Sequence, residues 1–444
     1  MNYTPIIEKI LDYISSNLKA NKDLSLGVEI ENIVYDPSLK RLPVNGGNGF
    51  TSQNLKDRLL VLNRNAHITP SLTIEPGGQI EYGSTPFTDI HHLHKEWQLY
   101  QKNLFKVCMD ENLTLLDFST EPIYIPAHIP IIDIKKYHIM HERFSRTGKL
   151  GHWMMKNSAS LQINLDYTSQ QEAAQMAFIS DCLQPFLFLM FANAPFTKGK
   201  PAGKRNLRID FWDNTDTPRC GYLLDHGIQS TEKLLLNYAN LVYKTPAIFI
   251  TSDKGEVQSF DGLLGEWLIE LSKGDRLTNE AIKIALHQIF THVRFKNILE
   301  IRGPDRPPFG FEMAPVALVT GLLRPPIIRE RLLEIVSSWS PHDRRTVQQK
   351  ASILDLTQTA YNGKSFRDWI ERFFEMALEG LDIRCKTMNI PNERGFLEPF
   401  VEAFLSHGPF ALQIQREFEI SVKSLKDFLK VRWLKQKELQ KNYS

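Results

Sequence analysis

The run Ile74-Glu75-Pro76-Gly77-Gly78-Gln79-Ile80-Glu81-Tyr82 constrains this chain more than any other. Pro-Gly-Gly sets a tight turn. The strand leaving it carries Gln79 and Glu81 on one face, and Glu75 sits just before the bend. Two carboxylates and an amide held by a stiff turn suit a hard cation, because magnesium takes oxygen ligands in fixed positions. Taken alone, such a run is more often an ordinary turn, but three other segments bring the same chemistry.

Strand periodicity puts every second side chain on one face. In Leu26-Gly27-Val28-Glu29-Ile30-Glu31, Leu26, Val28 and Ile30 are apolar and the other face carries Glu29 and Glu31. From Ser158 to Asp166 the odd positions are apolar, and the even ones are Ser158, Ser160, Gln162, Asn164 and Asp166. In Leu299-Glu300-Ile301-Arg302, Glu300 and Arg302 share the polar side. For a single strand, a half-buried sheet with a solvated outer face is the commoner arrangement. Such faces usually mix Lys, Thr and Arg with their acids, whereas here Glu29, Glu31, Glu75, Glu81 and Glu300 dominate. Neighbouring carboxylates repel unless protons or cations hold them together. A cluster of magnesium ions would resolve that repulsion and implies a cleft for a nucleoside triphosphate. Arginines are the natural partners of phosphate and carboxylate oxygens. Arg302 lies on the acid-lined face, and the loop from Arg208 to Gly221 supplies Arg208 and Arg219 with Trp212 between them. An Arg/Asp/Trp loop without context is more often a surface ion-pair network.

The rest of the chain narrows the class. It has 444 residues with a formal net charge of +2 and no basic block, so nothing calls for a nucleic-acid partner. Cys108, Cys182, Cys220 and Cys385 are far apart, which argues against a zinc knuckle or a disulfide framework and fits a reducing, cytoplasmic setting. Residues 5 to 19 read as an amphipathic helix rather than a secretory signal. The apolar stretch from Cys182 to Phe196 is broken by Gln184, Pro185, Asn193 and Pro195, so no membrane association is expected. Strands are predicted over 24–35, 70–82, 157–167 and 293–302, and helices over 86–113 and 170–192. Beyond residue 327 the pattern is mostly helical. Strands early and helices late predict an α+β fold with an antiparallel sheet and flanking helices. The whole of 1–444 reads as one catalytic unit, with a core over 20–326 and a helical C-terminal region over 327–444. No Pro/Gly/Ser-rich stretch marks a clean boundary between them.

These segments resemble the plant-type glutamate–cysteine ligases. The resemblance rests on Gly27 to Glu31, Glu75 to Glu81, Met154-Met155 through Gln162 to Asp166, and Phe191-Ala192-Asn193-Ala194-Pro195-Phe196. It continues through the Arg208 to Gly221 loop and Leu299 to Gly303, covering roughly residues 25 to 330. The chain departs from that family at Asn157-Ser158-Ala159-Ser160, where plant-type enzymes often carry Arg-Thr-Cys-Thr.

The resemblance implies a glutamine-synthetase-like catalytic fold whose curved antiparallel sheet forms a funnel. It also implies that ATP and two or three Mg2+ ions join the γ-carboxylate of glutamate to the amine of cysteine, the first step of glutathione synthesis. Glu29, Glu31, Glu75, Glu81, Gln162 and Glu300 would then be metal ligands, and Arg302 would touch the transferring phosphoryl group. Arg208, Trp212, Arg219 and Asn164 would help hold the substrates, and a homodimer is compatible with this reading. Three rivals are open at this point: the same chemistry with another amine acceptor, a phosphagen-type kinase, and a silent nucleotide-binding regulatory subunit.

Overall fold

Seven strands make the central sheet. They are β1 (Leu26–Tyr35), β2 (Ser71–Ile74), β3 (Ile80–Gly83), β4 (Thr114–Leu116), β5 (Leu161–Leu165), β6 (Val293–Phe295) and β7 (Leu299–Ile301). The computed structural model describes residues 5–47, 49–252 and 254–441. The strand order is β6-β7-β5-β1-β3-β2, with β4 pairing farther along β1. Every pair in it is antiparallel, as expected for an α+β fold.

Alternation along β1 explains its two environments. Leu26, Val28 and Ile30 are buried, while Glu29 and Glu31 between them are only half-buried. Past Asn32 the alternation stops, because β4 pairs with Ile33, Val34 and Tyr35 and the strand is buried on both faces there. Leu161, Ile163 and Leu165 of β5, Leu299 and Ile301 of β7, and Ile80 and Tyr82 of β3 complete the apolar side. At roughly 25 cal/mol per Å2 of apolar surface, this face supplies the main drive for sheet formation.

Two predicted strands are hairpins. The stretch 70–82 divides at the Glu75–Gln79 loop, and 293–302 divides at Lys296–Ile298. Both loops hold an odd number of residues, so Ile74 pairs with Ile80 and Phe295 with Leu299. The apolar alternation therefore runs through each bend without a phase change and imitates one longer strand. The 157–167 strand is shorter than expected, because Ser158 and Ser160 form single bridges to Thr120 and Asp305 instead of joining the ladder.

Helices cover the apolar face. Ile90–Asp110 starts at Asp89, whose side chain accepts from the His92 backbone N–H at 3.0 Å, a helix cap of the usual kind. It buries Leu93, Trp97, Tyr100, Leu104 and Val107, as its spacing predicts. The helix Gln170–Met190 is apolar and long enough to cross a bilayer, yet 94% of that stretch is buried inside the fold. In the C-terminal region, Phe366–Met388 buries the predicted stripe Phe366, Trp369, Ile370, Phe373 and Met376. It packs on Met313–Leu323 through two glycines: a Cβ on Gly380 would lie 1.9 Å from the Gly321 carbonyl oxygen.

Candidate active site

The polar face of the sheet forms one wall of a cleft of about 660 Å3. Register sets its contents. Glu31 of β1 lies directly opposite Glu81 of β3, Glu29 opposite Gln162 of β5, and Glu300 of β7 opposite Asn164. Like charges directly across an antiparallel pair are destabilising. Glu75 joins them from the β2–β3 loop, whose geometry depends on its glycines. The Gly78 amide donates to the Glu75 carbonyl at 2.8 Å with Gly78 at φ +85°, where only glycine is unstrained. A Cβ on Gly77 would lie 2.6 Å from the Lys156 carbonyl oxygen. Gln79 is the loop's fastener: its amide donates to the Ser158 carbonyl at 2.8 Å and the Met155 carbonyl at 3.3 Å.

The acids behave as a crowded group. Desolvation and then the neighbouring Glu81 push Glu31 up to about 7. Desolvation and then Glu31 push Glu75 up to about 7. Glu81 is driven well above the usual carboxylate range by desolvation, Glu75 and Glu29. Two of these acids have polar contacts, with Ser160 donating to Glu31 and Thr73 to Glu81. The Glu75 carboxylate has no hydrogen-bond or ion-pair partner among the described residues. Oxygen donors that repel in this way have the right chemistry for a magnesium ion. Among the described residues, however, no three acid, His or Cys side chains converge closely enough to hold one metal ion.

Two predicted ligands are otherwise engaged. Glu300 is fully buried and absent from the cleft lining. Its carboxylate takes Arg294, Lys296 (2.6 Å) and Arg302 (3.0 Å), which outweigh the effect of burial and hold it well below the usual range. The Gln162 amide oxygen accepts from Arg302. In this arrangement Glu300 and Gln162 aim an arginine rather than offer free oxygens to a metal.

Arg302 lines the cleft, lies 5.7 Å above the Trp212 ring, and keeps an unpartnered Nε. Arg208 also lines the cleft, but one of its amino groups is committed to the Gly303 and Pro304 carbonyls and to Asp305, at 2.9–3.0 Å. It fixes the loop that follows Arg302. Asn164 donates to Glu29 at 3.0 Å and leaves its own carbonyl oxygen unpartnered. Arg219 is not brought to the site. It is fully buried, absent from the lining, and bonded to Asp216 and to the Gln288 and Pro246 carbonyls.

Three cations escaped the sequence reading. Arg294 lies directly opposite Glu300 in the register, Lys296 bridges Glu29 (3.4 Å) and Glu300, and Lys136 lines the cleft from the helix Lys135–Thr147. Arg294 and Lys296 share the even-numbered parity of Glu300 and Arg302, so the signal for those two was present. Lys136 had none, because tertiary packing alone brings it there. A cavity of about 1220 Å3 between Ile90–Asp110 and the C-terminal helices is larger, but it gathers no comparable carboxylate cluster.

Residues 25–398 match the family model described as glutamate–cysteine ligase family 2 (GCS2). Glutamate–cysteine ligase A, chloroplastic, of Oryza sativa subsp. indica is 26% identical over 418 residues, covering 90% of this chain and 82% of that one. The chloroplastic glutamate–cysteine ligase of Medicago truncatula is 26% identical over 338 residues, covering 75% and 64%. A crystal structure of a glutamate–cysteine ligase from Francisella tularensis in complex with AMP superposes with a TM-score of 0.57. It is 13% identical and covers 95% of this chain and 89% of that one, which establishes a shared fold. The chloroplastic descriptions of the plant relatives overturn the cytoplasmic expectation. That expectation rested on scattered cysteines, and cysteine spacing alone does not say which compartment holds a chain.

Proposed function

Because the chain belongs to glutamate–cysteine ligase family 2, we propose that its cleft joins glutamate to cysteine at the expense of ATP. The observation that carries this reading is the facing of Glu29, Glu31, Glu75 and Glu81 against Arg302 across one sheet. An oxygen of the glutamate γ-carboxylate takes the γ-phosphoryl group of ATP, and ADP leaves. The cysteine amine attacks the acyl carbon, an amide C–N bond forms, phosphate departs and the amine proton is released. On this reading the Arg302 guanidinium, which lines the cleft, stabilises the oxygens of the transferring phosphoryl group. Trp212 packs beneath that guanidinium and holds its plane. Glu29, Glu31, Glu75 and Glu81 would hold magnesium, which when bound neutralises phosphate charge. Their mutual repulsion supports such an occupant, whereas Gln162 and Glu300 serve the arginine.

The test is phosphate release and product mass from purified protein with ATP, magnesium, glutamate and a panel of amines. Equal yields of phosphate and γ-glutamylcysteine are expected with cysteine. A γ-glutamyl product with another amine alone would replace the acceptor, and silence with every amine would overturn the reading.

A further inference from the structure

With no partner for its carboxylate among the described residues, Glu75 is placed by the backbone of the Glu75–Gln79 loop. Arg41 fastens that loop from outside the cleft. One terminal nitrogen of its guanidinium donates to the Gly77 carbonyl at 2.5 Å and to the Gln79 side-chain oxygen at 3.5 Å. The other donates to the Lys156 carbonyl at 3.2 Å. The fork therefore bridges the two backbones at the point where the missing Cβ of Gly77 lets them approach. Arg41 is absent from the cleft lining, and among the described residues no other charged side chain bonds the backbone of this loop.

The guanidinium is itself held in aim. The Arg41 side chain is nearly buried and pairs at 3.3 Å with the fully buried Glu121 carboxylate. Glu121 also accepts from the Tyr35 hydroxyl at 2.8 Å and from the Ile123 and Tyr124 amides at 2.9 and 3.1 Å. Tyr35 ends β1, the strand that carries Glu29 and Glu31, and Lys156 lies in the helix Gly151–Asn157. One side chain thus ties the Glu75 loop to the strand bearing two of its fellow acids. A planar fork can reach several oxygens in fixed directions, which the point charge of a lysine cannot do.

We infer that Arg41 is a positioning residue for the acid group: through the Gly77 carbonyl it fixes where the Glu75 carboxylate stands beside Glu31 and Glu81, and so sets the cleft's affinity for a divalent cation. The inference rests on the metal-binding part of the reading above and adds a residue that touches neither metal nor substrate. A purely structural Arg41 would support the melting temperature alone. A positioning Arg41 also governs how tightly the folded protein holds the ion, and it does so through Glu75.

Arg41→Lys keeps a charge beside Glu121 and loses the fork. Arg41→Leu combined with Glu121→Gln leaves no unpaired buried charge, which keeps the test in hand should the first variant not fold. The full chain is titrated with Mn2+ alone, and binding is read by electron paramagnetic resonance below the unfolding transition seen by circular dichroism. The Mn2+ dissociation constant should rise about tenfold or more in each variant. In a Glu75→Gln background, Arg41→Lys should add less than about twofold, because both changes act on the same ligand. Folded variants that bind Mn2+ as wild type does, or an Arg41→Lys effect undiminished by Glu75→Gln, would overturn the inference. A wild type that forms γ-glutamylcysteine yet binds no Mn2+ would also overturn it and leave the ligase standing. The expected losses of Mn2+ binding, with no γ-glutamyl product from wild type, would overturn the ligase and leave Arg41 in its role.

Discussion

Glu81 faces Glu31 across two strands and belongs to a group whose charge nothing nearby balances fully. Replacing it tests the cleft most directly. Glu81→Gln should lower kcat by at least about 100-fold in a steady-state ligase assay, with a melting temperature in metal-free buffer no lower than that of wild type, because the change relieves the same repulsion. Glu75 gives a pH test. Its folded pKa is raised from 4.5 to about 7, so between those values the folded state binds more protons than the unfolded state, and this carboxyl's contribution to stability falls as pH rises. Glu75→Gln removes that liability. In EDTA the variant should gain stability relative to wild type between pH 5 and pH 8, and magnesium at pH 8 should reverse the order. Urea denaturation at the two pH values measures both effects. The acids themselves were legible in the sequence, because period-two alternation reports which face a side chain takes. What each one touches was not legible. Glu300 and Gln162 looked like any other oxygen donor until β6 and Arg302 closed on them, and Arg219 looked like a substrate clamp until it was found bonded to Asp216.

At the level of elements, the helices were readable from their apolar stripes, with ends displaced by a few residues where a cap decides. Hairpins were harder, since an odd-numbered loop leaves the alternation in phase. Contact between Met313–Leu323 and Phe366–Met388 was invisible, because a glycine in a helix announces neither its partner nor its purpose. That contact is backbone against backbone at Gly321 and Gly380. Gly380→Ala should therefore destabilise the protein by about 1–3 kcal/mol through overpacking, despite the better helix propensity of alanine. Thermal unfolding monitored by circular dichroism is the check.

Taken whole, the molecule ties its C-terminal helices to the sheet. Trp433 belongs to the main core cluster. Arg432 pairs with Asp117 just past β4, and Arg384 donates to the Thr88 carbonyl at 2.8 Å. We expect one catalytic unit: a chain ending at residue 326 would expose the apolar side of Met313–Leu323 and should show no cooperative unfolding transition. The antiparallel core was foreseeable from the order of strands and helices. The use of the last hundred residues was not, because long-range packing leaves no local trace.

The clamp on Glu300 also bears on timing. Arg294, Lys296 and Arg302 each give up rotamer freedom to one buried carboxylate, and long cationic side chains carry roughly 2 kcal/mol of such entropy apiece. That loss is incurred as the chain folds, while hydrophobic burial drives the process. On the proposed reading, arriving phosphates would meet donors already immobilised, so little of their binding energy would go into ordering the protein, and more would remain for the reaction itself.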